Sequence, residues 1–283
     1  MKLIKTIDEM RAFRYAARKS SKRLGLVPTM GALHEGHLSL VRAARDTSDI
    51  VVVSIFVNPT QFGPNEDFAK YPRNLESDSK MLEHEQVDVI FAPSVNDMYP
   101  GGAVTWVTVE EMSDRLCGRS RPGHFRGVTT VVSKLFHIIE PDVAFFGQKD
   151  AAQVAIIRRM VRDLNMPVEI EVGAIVREPD GLALSSRNAY LNPEERKSAL
   201  IVHRSLQQSQ TLFEEGERNS AKLIAAGKQE FARKPNARLD YFEIVDPDSL
   251  EPISLISNRA LIAVAAFIGN TRLIDNIIVD PKL

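Results

Sequence analysis

Apolar positions change their spacing along the chain in a regular order, and that order predicts the elements. "LGLVPT" (24–29) is a short apolar run stopped by proline and reads as a strand. "HLSLVRAARDTSD" (37–49) sets Leu38, Val41 and Ala44 at helical spacing. "IVVVSIFV" (50–57) is a β-branched run without polar alternation, as in a strand covered on both faces. Residues 24–57 thus predict strand, loop, helix, strand: a βαβ unit with a parallel pair. The alternation continues with a helix in "NLESDSKMLEHEQ", a strand in "VDVIFAP" (87–93) and a helix in "VTTVVSKLFHIIE" (128–140). A strand in "DVAFFG" (142–147), a helix in "DAAQVAIIRRMVRDLN" and a strand in "VEIEVGAIV" (168–176) follow. "VTWVTV" fits a further short strand in which Trp106 anchors packing. The expected fold class is α/β, with a Rossmann-like, open and mostly parallel sheet. Ligands of such sheets gather beyond the carboxyl ends of the strands.

Past about residue 176 the texture changes. "REPDGLALSSRNAYLNPEER" is loop-like, and Asn192 is suited to cap a helix whose first position is Pro193. A long helix to about Glu215, a second from about Ser220, and strands in "RLDYFEIVD", "ALIAVAAFIG" and "LIDNIIVD" complete the chain. The expected division is therefore a Rossmann-like domain over 1–176 and a smaller α+β domain over 177–283.

Composition narrows the setting. The chain has 283 residues, 44% apolar and 26% charged, which is ordinary for a globular protein. A formal net charge of −1 excludes a global electrostatic bias toward nucleic acid or anionic membrane. Cys117 is the only cysteine, so an internal disulfide and a cysteine-rich metal site are excluded. Flanked by Arg115 and Arg119 but by no evident base, it reads as a small apolar residue. The N-terminal stretch is charged throughout and lacks a signal-peptide core, and no apolar run approaches a membrane-spanning length of ~20 residues. The expected setting is the cytoplasm, with no nucleic-acid or membrane partner.

The chemistry concentrates at predicted strand ends. "PTMGALHEGH" (28–37) lies between a strand and the amino end of a helix, where free N–H groups and the helix dipole favour an anion. His34 and His37, three apart, fall on one side of the first helical turn, suited to donate to phosphoryl oxygens. Two histidines supply only part of a metal site, and a capping and packing pair is the plainer alternative. "FFGQKD" (145–150) also ends a strand and opens a helix: Gly147 permits the turn, Lys149 offers a cation, and Asp150 is equally suited to cap the helix. "LSSRN" (184–188) offers two hydroxyls and a guanidinium, a composition common in loops but informative beside a histidine loop. Together the two segments resemble the HIGH and KMSKS signatures of adenylate-forming nucleotidyltransferases.

Neutral amides at Asn58 and Gln61, in "FVNPTQFGPNEDFAKYPR", suit a hydroxy-acid or merely a proline-shaped loop. Arg121, His124 and Arg126 in "RPGHFRGV" read as an anion site or as an exposed basic turn. Gln153 lies one turn into its helix, toward the crevice or toward solvent, and Asp78 is an acid on a charged helix. A HIGH-type nucleotidyltransferase and a non-catalytic nucleotide-binding module both remain open on these residues alone.

Over nearly the whole chain, "PTMGALHEGH", "VSIFVNPTQFGPNEDFAKYPR", "MYP", "RPGHFRGV", "FFGQKD" and "LSSRN" occur in an order and spacing that resemble the pantothenate synthetase (pantoate–β-alanine ligase) family. The resemblance implies a homodimeric, magnesium-requiring enzyme. It joins pantoate to β-alanine at the expense of ATP, through a pantoyl adenylate, releasing pyrophosphate and AMP. It implies ATP contacts at Met30, Gly31, Ala32, Leu33, His34, Glu35, Gly36 and His37, with His37 a proton donor. Further ATP contacts fall on Gly147, Gln148, Lys149 and Asp150, on Val176, and on a closing loop of Leu184, Ser185, Ser186 and Arg187. His34, His37, Lys149, Ser185, Ser186 and Arg187 would serve catalysis by stabilising charge on the phosphates. Gln61 and Gln153 match pantoate-binding positions, Asn58 and Arg121 the surrounding wall, and Asp78 the magnesium-side acid. Cys117 departs from the pattern, standing where relatives often carry glutamate.

Overall fold

The two nearly all-apolar runs, Leu24–Thr29 and Ile50–Ile55, lie side by side in parallel and in register from Leu24 opposite Ile50 to Thr29 opposite Ile55. The computed structural model describes residues 1–64, 66–232 and 236–282. In chain order its elements begin with β1 (Lys2–Ile4), α1 (Ile7–Lys19), β2 (Leu24–Thr29), α2 (Glu35–Thr47), β3 (Ile50–Ile55), α3 (Leu75–His84) and β4 (Val89–Phe91). They continue with α4 (Val95–Met98), α5 (Cys117–Ser120), α6 (His124–Ile139), β5 (Val143–Gly147), α7 (Ala151–Asp163) and β6 (Glu169–Gly173). The last are α8 (Pro193–Glu214), α9 (Ser220–Ala232), β7 (Ala237–Val245), β8 (Ala260–Ile268) and β9 (Thr271–Val279). These form two compact units, neither of them one continuous stretch. The first comprises Met1–Ser113, Arg121–Gly147 and Ile156–Ala174; the second comprises Asp114–Ser120, Gln148–Ala155 and Ile175–Leu283.

The first unit holds a six-stranded parallel sheet in the order β1-β4-β3-β2-β5-β6. Val27, Val51, Val53, Ile90 and Val143 are fully buried against Val41 and Ala44 of α2, which explains why these strands read as unbroken apolar runs. The chain builds outward from β2 through β3 to β4, then returns to place β5 on the other side of β2. That reversal is the switch point of an α/β sheet, and the loop after β2 opens there.

Two features depart from the sequence pattern. The three-residue β1, hidden in a charged N-terminal stretch, pairs with β4 at the sheet edge. "VTWVTV" forms no strand: Val107 gives its N–H to the Thr130 hydroxyl and takes that of Thr129, both on α6, so side chains replace a ladder partner. Trp106 is 36% exposed, with the Arg126 guanidinium 4.5 Å over its ring, so it stacks on a cation rather than anchoring a core.

The second unit is an antiparallel sheet, β7-β8-β9, with α8 and α9 packed on one face through Val202, Leu206, Leu223, Phe242 and Val264. Asn192 caps α8, accepting from the amides of Glu194 and Glu195, while Glu195 reaches back to the Asn192 amide and Pro193 takes the first turn.

Candidate active site

The loop leaving β2 is strained and held from one side. Gly31 and Ala32 both take left-handed backbone, at φ +80° and +51°. For alanine that conformation costs about 1–2 kcal/mol, so something must hold it. Asp78 of α3, only 2% exposed, does so: its Oδ2 accepts the Ala32 amide at 3.0 Å and its Oδ1 the Leu33 amide at 2.9 Å. A Cβ at Gly31 would stand 2.9 Å from the same carboxylate, so glycine is needed for the approach as well as for φ. Burial pushes the Asp78 carboxyl above its ordinary value, and the two amides only partly offset that.

So held, the loop delivers His34 as the cap of α2. The Gly36 amide donates to His34 Nδ1 at 3.2 Å, and the His34 amide donates to His37 Nδ1 at 3.3 Å, a capping box built from two imidazoles with centroids 4.2 Å apart. A ring nitrogen that accepts an amide carries no proton. In the neutral rings the proton therefore sits on Nε2, and both histidines present a donor at that atom. The capping alternative is what the structure shows, and it occupies the Nδ1 atoms alone. Glu35 pairs with Arg42, which also binds Glu85 at 2.6 Å, so its carboxylate is engaged in a surface ion pair.

After β3, Asn58 is 1% exposed and saturated. Its amide donates to Gln61 Oε1 and to the Gly127 carbonyl, both at 3.1 Å, while its Oδ1 accepts from the Tyr99 hydroxyl at 3.0 Å and from Thr60. Asn58 thus sets the side chain of Gln61, whose Nε2 lies 3.0 Å from Met30 Sδ. The α6 backbone passes so close that a Cβ on Gly127 would meet the Thr60 carbonyl oxygen at 2.4 Å.

Arg121 is a paired cation: it forks onto Glu66 at 2.7 and 2.6 Å and gives a further N–H to His124 Nε2 at 3.0 Å. His124 Nδ1 is 2.9 Å from the Gln61 carbonyl oxygen. Guanidinium can only donate and a carbonyl only accept, so the imidazole carries its proton on Nδ1. Burial raises the Glu66 carboxyl, but the Arg121 bonds and charge outweigh it and leave the group below its ordinary value. No sequence signal marked Glu66 as the partner.

In the second unit the turn Gln148–Asp150 precedes α7, with Lys149 Nζ 3.9 Å from Asp150 and Gln153 half-buried. The Leu184 amide donates to the Val176 carbonyl at 3.0 Å, closing a short hairpin. Ser185 then caps the turn Ser186–Tyr190 by accepting the Arg187 amide at 3.3 Å. Asn188, the last of the motif, ties this turn to the Ala183 carbonyl at 3.1 Å.

Cys117 is buried, as expected, but among polar groups: its Sγ is 3.1 Å from the Tyr241 hydroxyl and 3.6 Å from the guanidinium of Arg272, which pairs with Asp240 at 2.7 Å. Burial and the neighbouring sulfur push the Tyr241 hydroxyl well up. Arg115 and Arg119 face away to Glu251 and Glu243. Among the described residues, no group of three or more His, Cys, Asp or Glu could hold a metal ion, and no helix is long and apolar enough to cross a membrane.

The profile of the family described as pantoate-beta-alanine ligase matches residues 2–278. A pantothenate synthetase of Koribacter versatilis is 60% identical over 280 residues, covering 99% of this chain and 96% of its own. One from Thermotoga petrophila is 58% identical over 278 residues, covering 98% and 99%. Among solved structures, pantothenate synthetase from Thermus thermophilus superimposes with a TM-score of 0.93 at 46% identity, covering 98% of this chain and 99% of that one. A pantoate-beta-alanine ligase from Francisella tularensis, solved with beta-gamma ATP and beta-alanine, gives 0.80 at 37% identity, covering 98% and 97%.

Proposed function

The chain belongs to the pantoate-beta-alanine ligase family, and we propose that it joins pantoate to β-alanine at the expense of ATP, yielding pantothenate, AMP and pyrophosphate. The pantoate carboxylate attacks the α-phosphorus, pyrophosphate leaves, and the resulting pantoyl adenylate is opened by the β-alanine amine. ATP supplies the activation, so the protein has to orient the reactants and stabilise charge on the phosphates.

The observation that carries this reading is the capping box of His34 and His37, which commits both Nδ1 atoms to backbone amides and so assigns the ring protons to Nε2. The two rings give hydrogen bonds to phosphoryl oxygens, His37 acting as a donor through an Nε2 proton that it keeps. Met30, Gly31, Ala32, Leu33, Glu35 and Gly36 shape the same wall. Gly147, Gln148, Lys149, Asp150, Val176 and Leu184 contact the nucleotide, and Ser185, Ser186 and Arg187 donate to its phosphates. Gln61 and Gln153 bind pantoate. Asn58, with every polar atom engaged, acts by fixing Gln61. Arg121, neutralised by Glu66, acts likewise through the Gln61 carbonyl rather than as a free anion receptor.

Magnesium, when bound, neutralises phosphate charge. Asp78 would be the acid beside such an ion on the family resemblance; each of its oxygens accepts one amide and keeps a second lone pair. A homodimer in the cytoplasm completes the reading, on the family resemblance.

The test is pyrophosphate release from ATP and magnesium with D-pantoate, with and without β-alanine. Sustained release with both, accompanied by AMP and pantothenate, is the expected result. Release that ignores pantoate overturns the acceptor.

A further inference from the structure

Two polar side chains sit next to each other inside the apolar run "LIDNIIV" of β9: Asp275 at 2% exposure and Asn276 at 3%. Neighbours on a strand point to opposite faces of the sheet. Leu273, Ile277 and Val279 join the core under α8 and α9, so Asp275 shares that face and Asn276 has the other.

On its face, Asn276 holds the turn Gln148–Asp150 through both ends of its amide. Its Nδ2 donates to the carbonyls of Gln148 and Lys149, each at 3.0 Å, and its Oδ1 accepts from Gln148 Nε2 at 2.9 Å. In a planar trans peptide the C=O and the following N–H point in opposite directions. Fixing the Gln148 and Lys149 carbonyls on β9 therefore turns the N–H groups of Lys149 and Asp150 away from the sheet. The turn so fixed sets Lys149 at the entrance to α7.

On the opposite face, Asp275 takes both ends of the Arg177 guanidinium, at 2.6 and 2.9 Å, and Arg177 also donates to the Gly181 carbonyl at 3.0 Å. Arg177 bridges to Ala183, so this ion pair anchors the hairpin from which Ser185, Ser186 and Arg187 follow. A carboxylate this buried is tolerable because it is bidentately paired.

We propose that Asp275 and Asn276 are positioning residues for nucleotide binding: one dipeptide, using the two faces of β9, sets the Lys149 turn and the origin of the Ser185–Arg187 loop. The inference rests on the assignment of those two loops to ATP. Neither residue is itself required to touch the nucleotide.

The experiment compares wild type with Asn276→Ala and Asn276→Asp by steady-state kinetics for each substrate, calorimetric titration with ATP alone, and thermal melting. Asn276→Asp keeps the volume and the acceptor for Gln148 but has no N–H for the two carbonyls. Both variants are expected to raise KM and Kd for ATP about tenfold, with KM for pantoate and β-alanine within twofold of wild type. Asp275→Asn, with the Arg177 pair broken, is expected to move ATP in the same direction. Unchanged ATP affinity in folded variants overturns the proposal, as does an equal loss for all three substrates. Failure of all variants to fold overturns it too, since the dipeptide would then serve folding alone. Wild type that releases no pyrophosphate with pantoate would instead sink the ligase reading, while the ATP titrations would still decide the role of the dipeptide.

Discussion

Asp78 Oδ1 accepts the Leu33 amide at 2.9 Å across 45 residues of sequence, and this bond, with its twin to Ala32, fixes the left-handed start of the histidine loop. Asp78→Ala should destabilise the chain by about 3 kcal/mol, the scale of losing two hydrogen bonds to a charged group. It should also reduce pantoate-dependent pyrophosphate release, because His34 and His37 lose the loop that aims them. Denaturant melts and a pyrophosphate assay check both. Asp78→Asn adds a second readout: a raised magnesium requirement is expected if the carboxylate also serves the ion, and an unchanged one would confine Asp78 to the loop.

His37→Ala should lower kcat by about 10²–10³, equivalent to ~2.7–4 kcal/mol for a lost transition-state donor. His34→Ala should follow in the same direction. Stability should fall by no more than about 2 kcal/mol in either variant, the scale of losing a helix cap. Near-wild-type adenylation in either variant would remove that histidine from the phosphates.

Gly127→Ala forces a methyl against the Thr60 carbonyl at 2.4 Å and Gln61 Cα at 2.7 Å, both of them backbone that cannot rotate away. The expected cost is about 1–3 kcal/mol of stability. Because Gln61 is displaced, KM for pantoate should rise more than KM for ATP. Equal changes in the two would detach Gln61 from pantoate.

The acid limb of stability should carry the Glu66–Arg121 pair. Burial raises Glu66, but Arg121 brings it net below the ordinary 4.5. A depressed folded value means the stabilisation is complete above 4.5 and is lost as pH falls through the folded value. Asp78 has the opposite sign: raised above 3.8 in the folded chain, it makes stability fall as pH rises from 3.8 through its folded value. Glu66→Gln should flatten the acid limb by about 1 kcal/mol, the pair being partly exposed. Urea melts from acid to neutral pH provide the check, and an unaltered limb would refute the assignment.

Most of the first sheet was legible because buried parallel strands leave an unbroken apolar signal, as in Ile50–Ile55. Strand β1 was not, being three residues long and stabilised by its place beside β4 rather than by its own pattern. "VTWVTV" has strand composition, but its backbone groups are satisfied by Thr129 and Thr130, a solution that composition does not announce. The histidine loop was visible through its motif, yet the commitment of both Nδ1 atoms to backbone amides emerges only when the cap is built. Partners far apart in sequence, such as Glu66 for Arg121, carry no local mark. Asp275 and Asn276 did: two adjacent polar residues amid apolar strand positions.

The second unit takes Asp114–Ser120 and Gln148–Ala155 from the chain before residue 156, and its boundary runs inside α7. Tyr241, Arg272 and Asn276 find their partners Cys117 and Gln148 in those borrowed stretches. A gene fragment starting at residue 177 would therefore encode a sheet stripped of part of its own covering, and an exchange of C-terminal halves between relatives would pair each sheet with foreign covering segments. Recombination at that point is closed to this architecture, so the scattered segments of the second unit must drift together, one substitution answered by another more than a hundred residues away.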